Sequence, residues 1–453
     1  MISKEFHRSR REGLAQSVSS PILLMGNGHR ARNLPMNRLP FRQDSSFLYC
    51  TGCHEPNAAL MILDGESILF LEEHPPEDAL WHGPTPSLED RKVTYGVDRV
   101  ASIASLEEFC VSLSSISTIA VADEQVNRRA SQIIGAPLSF GAELGSLSLI
   151  DGLIGMRRIL LDEEIATIRK TMETTCRAHV AAMRATQVGS HERLIAAAFH
   201  YEIAKDGLES AYHSIVTVRG EILHNESYQN PLHAGQLLLL DGGAEATSGY
   251  ANDITRTWPV SKEWNPRQKR VYSAVLQAQK ESIAQVVAGN RYRNVHDASS
   301  RVIASFLHDE GLLRISAEEA VERGAHALFF PHGIGHLLGL DVHDMENFGD
   351  RPSYPTDRSR SDQFGTGYLR MDLDLKPGML VTVEPGFYVV PSILSNQTLR
   401  DRFYDAYDWE KVESWTGFGG IRIEDNVLCT QGAPDILSSE IPKEIEDINA
   451  VRA

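Results

Sequence analysis

Cysteine is scarce in this chain of 453 residues: five in all, at positions 50, 53, 110, 176 and 429. An odd, scattered set of that size argues against a disulfide framework. Cys50 and Cys53 form a C-x-x-C within "LYCTGCHEP", yet no second pair and no histidines at matching spacing follow it, as a structural zinc site would require. The alternatives are a redox pair or two small buried residues beside a turn at Gly52, and the second is the expectation. Long apolar runs are also lacking. No stretch of eighteen or more apolar residues occurs, which excludes a transmembrane helix. The only apolar patch near the start, Pro21 to Met25, is shorter than a secretory signal core and reads as a first buried strand, so a cytoplasmic protein is expected. Positive charge is in deficit as well: 44 Lys and Arg face 61 Asp and Glu, a net charge of −17. Nucleic-acid binding needs a basic face, and this balance argues against it.

What remains is an ordinary globular composition, 42% apolar and 23% charged, in a chain too long for one core. Two domains are expected, residues 1–157 and 158–453. The first mixes short apolar runs with turn signals in the manner of an α/β unit. "AALMILDGESILFL" reads as two strands, 58–63 and 67–71, joined by the hairpin dipeptide Asp64-Gly65. "STIAVAD" reads as another strand. The pattern changes near "LIDGLIGMRRILLDEEI". From there a long helix is expected, capped by Asp162 and apolar along Ile165, Ile168, Met172, Cys176 and Met183. Three further helices follow: from Ser190 toward Gly207, over 267–287, and through "VHDASSRVIASFLHDEG". Strands are expected in "SIVTVRG", "QLLLLDGGA", "ANDITRTWPV", "MLVTVEPGFYVV" and "GGIRIEDNVLCT". Helices interspersed with hairpins indicate an α+β domain. The polar stretch 346–367 reads as a surface loop or lid.

The densest chemistry lies in "FFPHGIGHLLGLDVHD". His332 and His336 are four apart, as in a zinc-protease helix, but the residues between are Gly-Ile-Gly. Two glycines cost a helix about 1 kcal/mol each relative to alanine, and the catalytic glutamate of H-E-x-x-H is absent. An extended or irregular segment is therefore expected, with His336 a ligand only if carboxylates arrive from elsewhere. Asp241 closes the run "LLLL", Asp253 ends the hairpin that follows, Glu384 follows "LVTV", and Glu424 lies in "GIRIED", flanked by apolar Ile421 and Ile423. Acids at the ends of buried strands need a shared counter-charge, and divalent metal supplies one. Four carboxylates and one imidazole suit two ions rather than one, and favour Mn²⁺, with Co²⁺, Fe²⁺ or Zn²⁺ as possible occupants.

With those stretches in hand, the sequence resembles the pita-bread metallopeptidases of family M24, most closely aminopeptidase P (Xaa-Pro aminopeptidase), with prolidase next. The likeness rests on "LLDGGAEATSGYANDITRTWPV", "HGIGHLLGLDVHD", "VTVEPGFY" and "GGIRIEDNVL", and covers roughly residues 160–435. "FRQDSSFLYCTGCHEPNAALMI" extends it, less strongly, into a creatinase-like N-terminal α/β domain. The resemblance implies a pita-bread (creatinase/aminopeptidase) catalytic domain that hydrolyses the N-terminal X-Pro bond of peptides with a metal-bridged hydroxide. It implies that Asp241 holds one ion, Asp253 and Glu424 bridge two, and His336 and Glu384 hold the other. Glu384, His343 and His224 would act on the scissile peptide, and His332, Arg422 and His224 would contact substrate. A homodimer or homotetramer is implied too. One departure is an extra residue in "AEATSGY" between the two aspartates, at a hairpin tip that tolerates it. Prolidase activity is the alternative, for which Arg370 or Arg422 could pin a dipeptide carboxylate. A non-catalytic binding module fits less well, since all five ligand positions are filled. Methionine aminopeptidase fits the long N-terminal domain and "TVEPGFY" poorly.

Overall fold

The computed structural model describes residues 2–453. The chain divides into two compact units, Met1–Arg158 with Met345–Gly349, and Ile159–Asp344 with Asp350–Ala453.

The first unit is built on a mixed five-stranded sheet in the order Arg99–Ser102, Glu66–Leu71, Ala59–Leu63, Ile22–Met25, Ser117–Thr118. The patch at Ile22–Met25 is a fully buried strand, as its composition indicates. Asp64 and Gly65 join the two central strands with φ of 50° and 83°, the left-handed pair that a two-residue hairpin needs. Leu23, Met61, Ile68 and Phe70 lead an apolar core. Cys50 and Cys53 are buried and unpaired, and burial pushes both thiols up to about 12. Gly52 between them caps the helix Ser45–Thr51 at φ 63°. "STIAVAD" is shorter as a strand than its pattern suggests, only Ser117–Thr118. The Asn127 side chain takes both backbone groups of Val121, each at 2.8 Å, so the ladder ends there.

The second unit is α+β. A three-stranded antiparallel sheet runs Thr255–Pro259, Leu237–Asp241, Ile215–Thr217. Leu380–Val383 pairs with Asp425–Leu428, and Gly386–Tyr388 with Gly420–Arg422. The two runs read as single strands, "MLVTVEPGFYVV" and "GGIRIEDNVLCT", are thus each broken in the middle, at Glu384 and at Glu424. Helices Asp162–Ala185, Glu192–Lys205, Pro266–Ile283 and Tyr292–Asp309 complete the frame. Asp162 does not cap the first of these. It is the first helical residue and exposed, while the Glu164 carboxylate accepts the Leu161 N–H at 2.8 Å and the Tyr250 hydroxyl at 2.8 Å. Ile168, Met172 and Met183 are buried along that helix, with Ile165 and Cys176 half-buried. The same face also buries polar groups that grip the turn between Asp241 and Asp253. Thr175 donates to Asn252 Oδ1 at 3.0 Å and accepts from the Ala244 N–H at 3.1 Å, and His179 donates to the Gly242 carbonyl at 3.0 Å. A Cβ on Gly243 would overlap the Asn252 carbonyl, so glycine is required where the two arms cross. The tip itself is a tight turn closed by Ala246 and Tyr250, which accommodates its length. Among the described residues no helix is long and apolar enough to cross a membrane.

Candidate metal centre and substrate cavity

Five separate chain segments deliver the predicted ligand residues to one place. Asp241 is the last residue of its strand, and Asp253 lies two residues before the next. His336 sits in an irregular stretch, not a helix. Gly335 explains why: its φ is 155°, and a Cβ there would strike Thr382 and the Tyr292 hydroxyl. That stretch is pinned to the strand Leu380–Val383, since His336 N–H donates to Thr382 Oγ1 at 3.1 Å and Thr382 N–H to the His336 carbonyl at 3.0 Å. Glu384 N–H in turn donates to the Ile334 carbonyl at 2.8 Å.

Two triads of donor atoms result, each gathered within 4.8 Å: Asp241, Asp253 and Glu424, and His336, Glu384 and Glu424. Asp253, His336 and His343 form a third such group. His336 Nε2 lies 3.3 Å from Asp253 and 3.9 Å from Glu384. Its Nδ1 donates to the Leu337 carbonyl at 2.9 Å, which fixes the tautomer and turns the Nε2 lone pair toward the carboxylates.

The electrostatics are those of a site short of positive charge. Burial and mutual repulsion raise Glu424 well above its ordinary range, and burial raises Asp241 and Asp253 despite the Arg422 guanidinium nearby. Burial, reinforced by Asp253 and Asp241, pushes Glu384 up to about 8. Glu424 Oε2 accepts from Thr255 Oγ1 at 2.7 Å, whereas Oε1 is buried with no hydrogen-bond partner. Tyr212 presents one hydroxyl to both Asp241 and Asp253. A phenol has a single proton to give, so these contacts call for a further proton or a cation between the carboxylates. Divalent ions answer every one of these deficits, and the donor set is hard and oxygen-rich.

His332, His343, His224 and Arg422 line the same cavity of about 780 Å³ as the five ligands. His343 packs edge-on to His336 at 4.4 Å, and burial with that neighbour lowers it to about 3, so its imidazole is neutral. His332 is lowered to about 3 by burial and by Arg422. Its Nδ1 donates to the Gly333 carbonyl, and its Nε2 accepts from the Tyr388 hydroxyl at 2.9 Å, which itself accepts from Arg422 at 3.1 Å. Arg422 is not simply a cavity-facing cation: its guanidinium also bonds Asp241 at 2.5 Å and Thr255 at 3.1 Å. His224 stands exposed on the loop after Thr217.

Sequence reasoning missed Tyr212, Thr255 and Tyr388. Period-two alternation along "TRTW" and "GFY" would have put Thr255 with Thr257 and Gly386 with Tyr388 on common faces. Tyr212, in "SAYHS", carries no comparable signal. The 346–367 stretch, read as a loop or lid, does contribute Arg360 and Phe364 to the cavity wall, followed by Tyr368 and Arg370.

Comparison with known proteins agrees with this geometry. The profile of metallopeptidase family M24 matches residues 166–431, and that of the aminopeptidase P N-terminal domain matches residues 7–120. The chain is 33% identical over 427 residues to a probable Xaa-Pro aminopeptidase of Aspergillus clavatus, covering 92% of this chain and 89% of that one. It is 32% identical over 464 residues to the Xaa-Pro aminopeptidase of Haemophilus influenzae, covering 98% and 96%. The solved structure of Pseudomonas aeruginosa aminopeptidase PepP superposes with a TM-score of 0.83 at 28% identity, over 100% of this chain and 98% of that one. The convergent acids, the broken strands that carry them and the domain in front are thus explained together: the chain belongs to metallopeptidase family M24 and has the aminopeptidase P architecture, N-terminal domain included.

Proposed function

We propose that this protein is an Xaa-Pro aminopeptidase with a dinuclear centre, held by Asp241, Asp253, His336, Glu384 and Glu424. The observation that carries the reading is Glu424, the residue common to two donor triads, which has one buried oxygen without a hydrogen-bond partner. Two divalent ions, Mn²⁺ foremost, would supply Lewis acidity and an activated water at neutral pH.

The protein's own groups do the rest. An X-Pro bond is a tertiary amide with no N–H, so recognition has to come from its carbonyl and from the ring. Neutral His343 donates a hydrogen bond toward the scissile carbonyl, a contact worth a few kcal/mol where charge develops. His224 reaches the same peptide from the cavity edge. His332 and Tyr388, locked to Arg422, form a rigid wall for the proline ring. Glu384, a carboxylate once it holds an ion, would be placed to accept a proton and return it. A cytoplasmic homodimer or homotetramer is part of the same reading.

The test is a paired assay. Protein stripped with chelator and reloaded with Mn²⁺ is offered an X-Pro dipeptide and an X-Pro-Y tripeptide. Metal-dependent release of X from the tripeptide is expected. Cleavage of the dipeptide alone would make this a prolidase, and inertness toward both a binding module.

A further inference from the structure

The cavity is lined by more than the five ligand residues, and one wall of it is built by chain outside the ligand-bearing strands. Arg360, Phe364 and Tyr368 line it together with Leu223, Val390 and Ile393. The wall is built to hold its shape. Arg360 Nε and Nη2 bind the Asp350 carboxylate at 3.0 and 2.7 Å, and Nη1 donates to the Leu369 carbonyl at 2.9 Å. Its guanidinium lies 5.4 Å over the Tyr354 ring, and Tyr354 Oη donates to the same Leu369 carbonyl at 2.6 Å. Phe364 and Tyr368 meet edge to face, with centroids 6.4 Å apart. The backbone at Tyr368 and Leu369 packs so closely on Gly333 that a Cβ there would collide with it. This places the wall directly beside His332.

Tyr368 is 60% exposed and Arg360 40% exposed in its side chain, an unusual state for groups so carefully fixed. Exposed aromatic surface beside an oriented guanidinium suits a ligand with an apolar side chain and an anionic end.

Building on the aminopeptidase reading, we infer that the segment from Asp350 to Tyr368 forms the subsite for the residue after proline. Phe364 and Tyr368 receive an apolar side chain, and Arg360 engages the terminal carboxylate. The favoured substrates are then short peptides X-Pro-Y with apolar Y and a free C-terminus.

The experiment measures kcat/KM of the Mn²⁺-loaded enzyme on Ala-Pro-Phe, Ala-Pro-Phe-amide and Ala-Pro-Gly. The wild type is expected to prefer the free acid over the amide by about tenfold, the scale of one charge-assisted contact. Arg360→Gln should collapse that preference through KM, while Arg360→Lys retains part of it. Phe364→Ala should erase the preference for Phe over Gly at the third position. Those variants test the two halves separately, so misfolding of one leaves the other decisive. A preference untouched by Arg360→Gln, or abolished by Arg370→Gln alone, overturns the assignment. Absence of metal-dependent hydrolysis of all three peptides would instead overturn the aminopeptidase reading beneath it.

Discussion

Glu424 and Asp425 are consecutive, both acidic and both buried, yet they sit in opposite electrostatic regions. Asp425 faces a complete set of partners: Arg256 at 2.8 Å, Gln279 at 2.7 Å, Ser438 at 2.7 Å and Lys443. Burial works against its charge, but Arg256 and Lys443 win and bring it down to about 2. Glu424, on the other side of the chain, faces Asp253, Glu384 and Asp241 and is driven upward. The lesson is that a buried acid is informative through what it lacks. Asp425 is finished by the protein and is structural, whereas Glu424 is finished only by something the chain does not encode. Arg256 ties the two together, since its guanidinium also donates to the Glu424 carbonyl at 2.5 Å.

Substitution separates the two regions. Glu424→Gln should lower kcat/KM by at least the ~10²–10³-fold that one electrostatic contact to a transition state supplies, while thermal unfolding of the chelated protein stays level or rises. Asp425→Asn should do the reverse. Leaving Arg256 and Lys443 uncompensated costs about 3–5 kcal/mol, visible by denaturant unfolding with and without metal. A stability loss confined to the metal-free protein would erase the distinction. Next in size is Thr255→Val, which removes the donor to Glu424 and should weaken Mn²⁺ binding roughly 10–100-fold by titration calorimetry.

The smallest effect is in pH. Glu384 is raised from 4.5 to about 8 in the folded chain, so its contribution to stability is complete below 4.5 and lost as pH rises through 8. Chelated protein should therefore melt at lower temperature at pH 8 than at pH 5. Mn²⁺ should reverse that slope, because ligands must be deprotonated to bind. Asp425 has the opposite sign: its contribution is present above 3.8 and lost as pH falls through about 2.

Much of this was legible beforehand. Acids placed at the ends of "LLLL" and "LVTV" stand out because an apolar run predicts burial and burial penalises charge. The hairpin at Asp64-Gly65 was readable because its backbone demands those residue types. Other features left no trace in pattern. The cap at Leu161 depends on Glu164, whose other partner is Tyr250, far along the chain. Tyr212 acts through its hydroxyl, and no spacing marks which tyrosine points inward. The wall built by Arg360 and Phe364 lies in a polar stretch whose composition says only that it is not a strand.

The short ladder that joins His336 to Thr382 has one more consequence. It clasps two ligand-bearing segments by their backbones, with Leu337 facing Val381 and Leu338 N–H donating to the Leu380 carbonyl at 3.0 Å. Everything between Leu338 and Leu380 is then a loop closed by a buckle. Doubling the length of such a loop costs only about 0.6 kcal/mol in closure entropy. Engineered variants can lengthen, shorten or exchange the part of that stretch after His343, and so retailor what the cavity admits, without moving either His336 or Glu384.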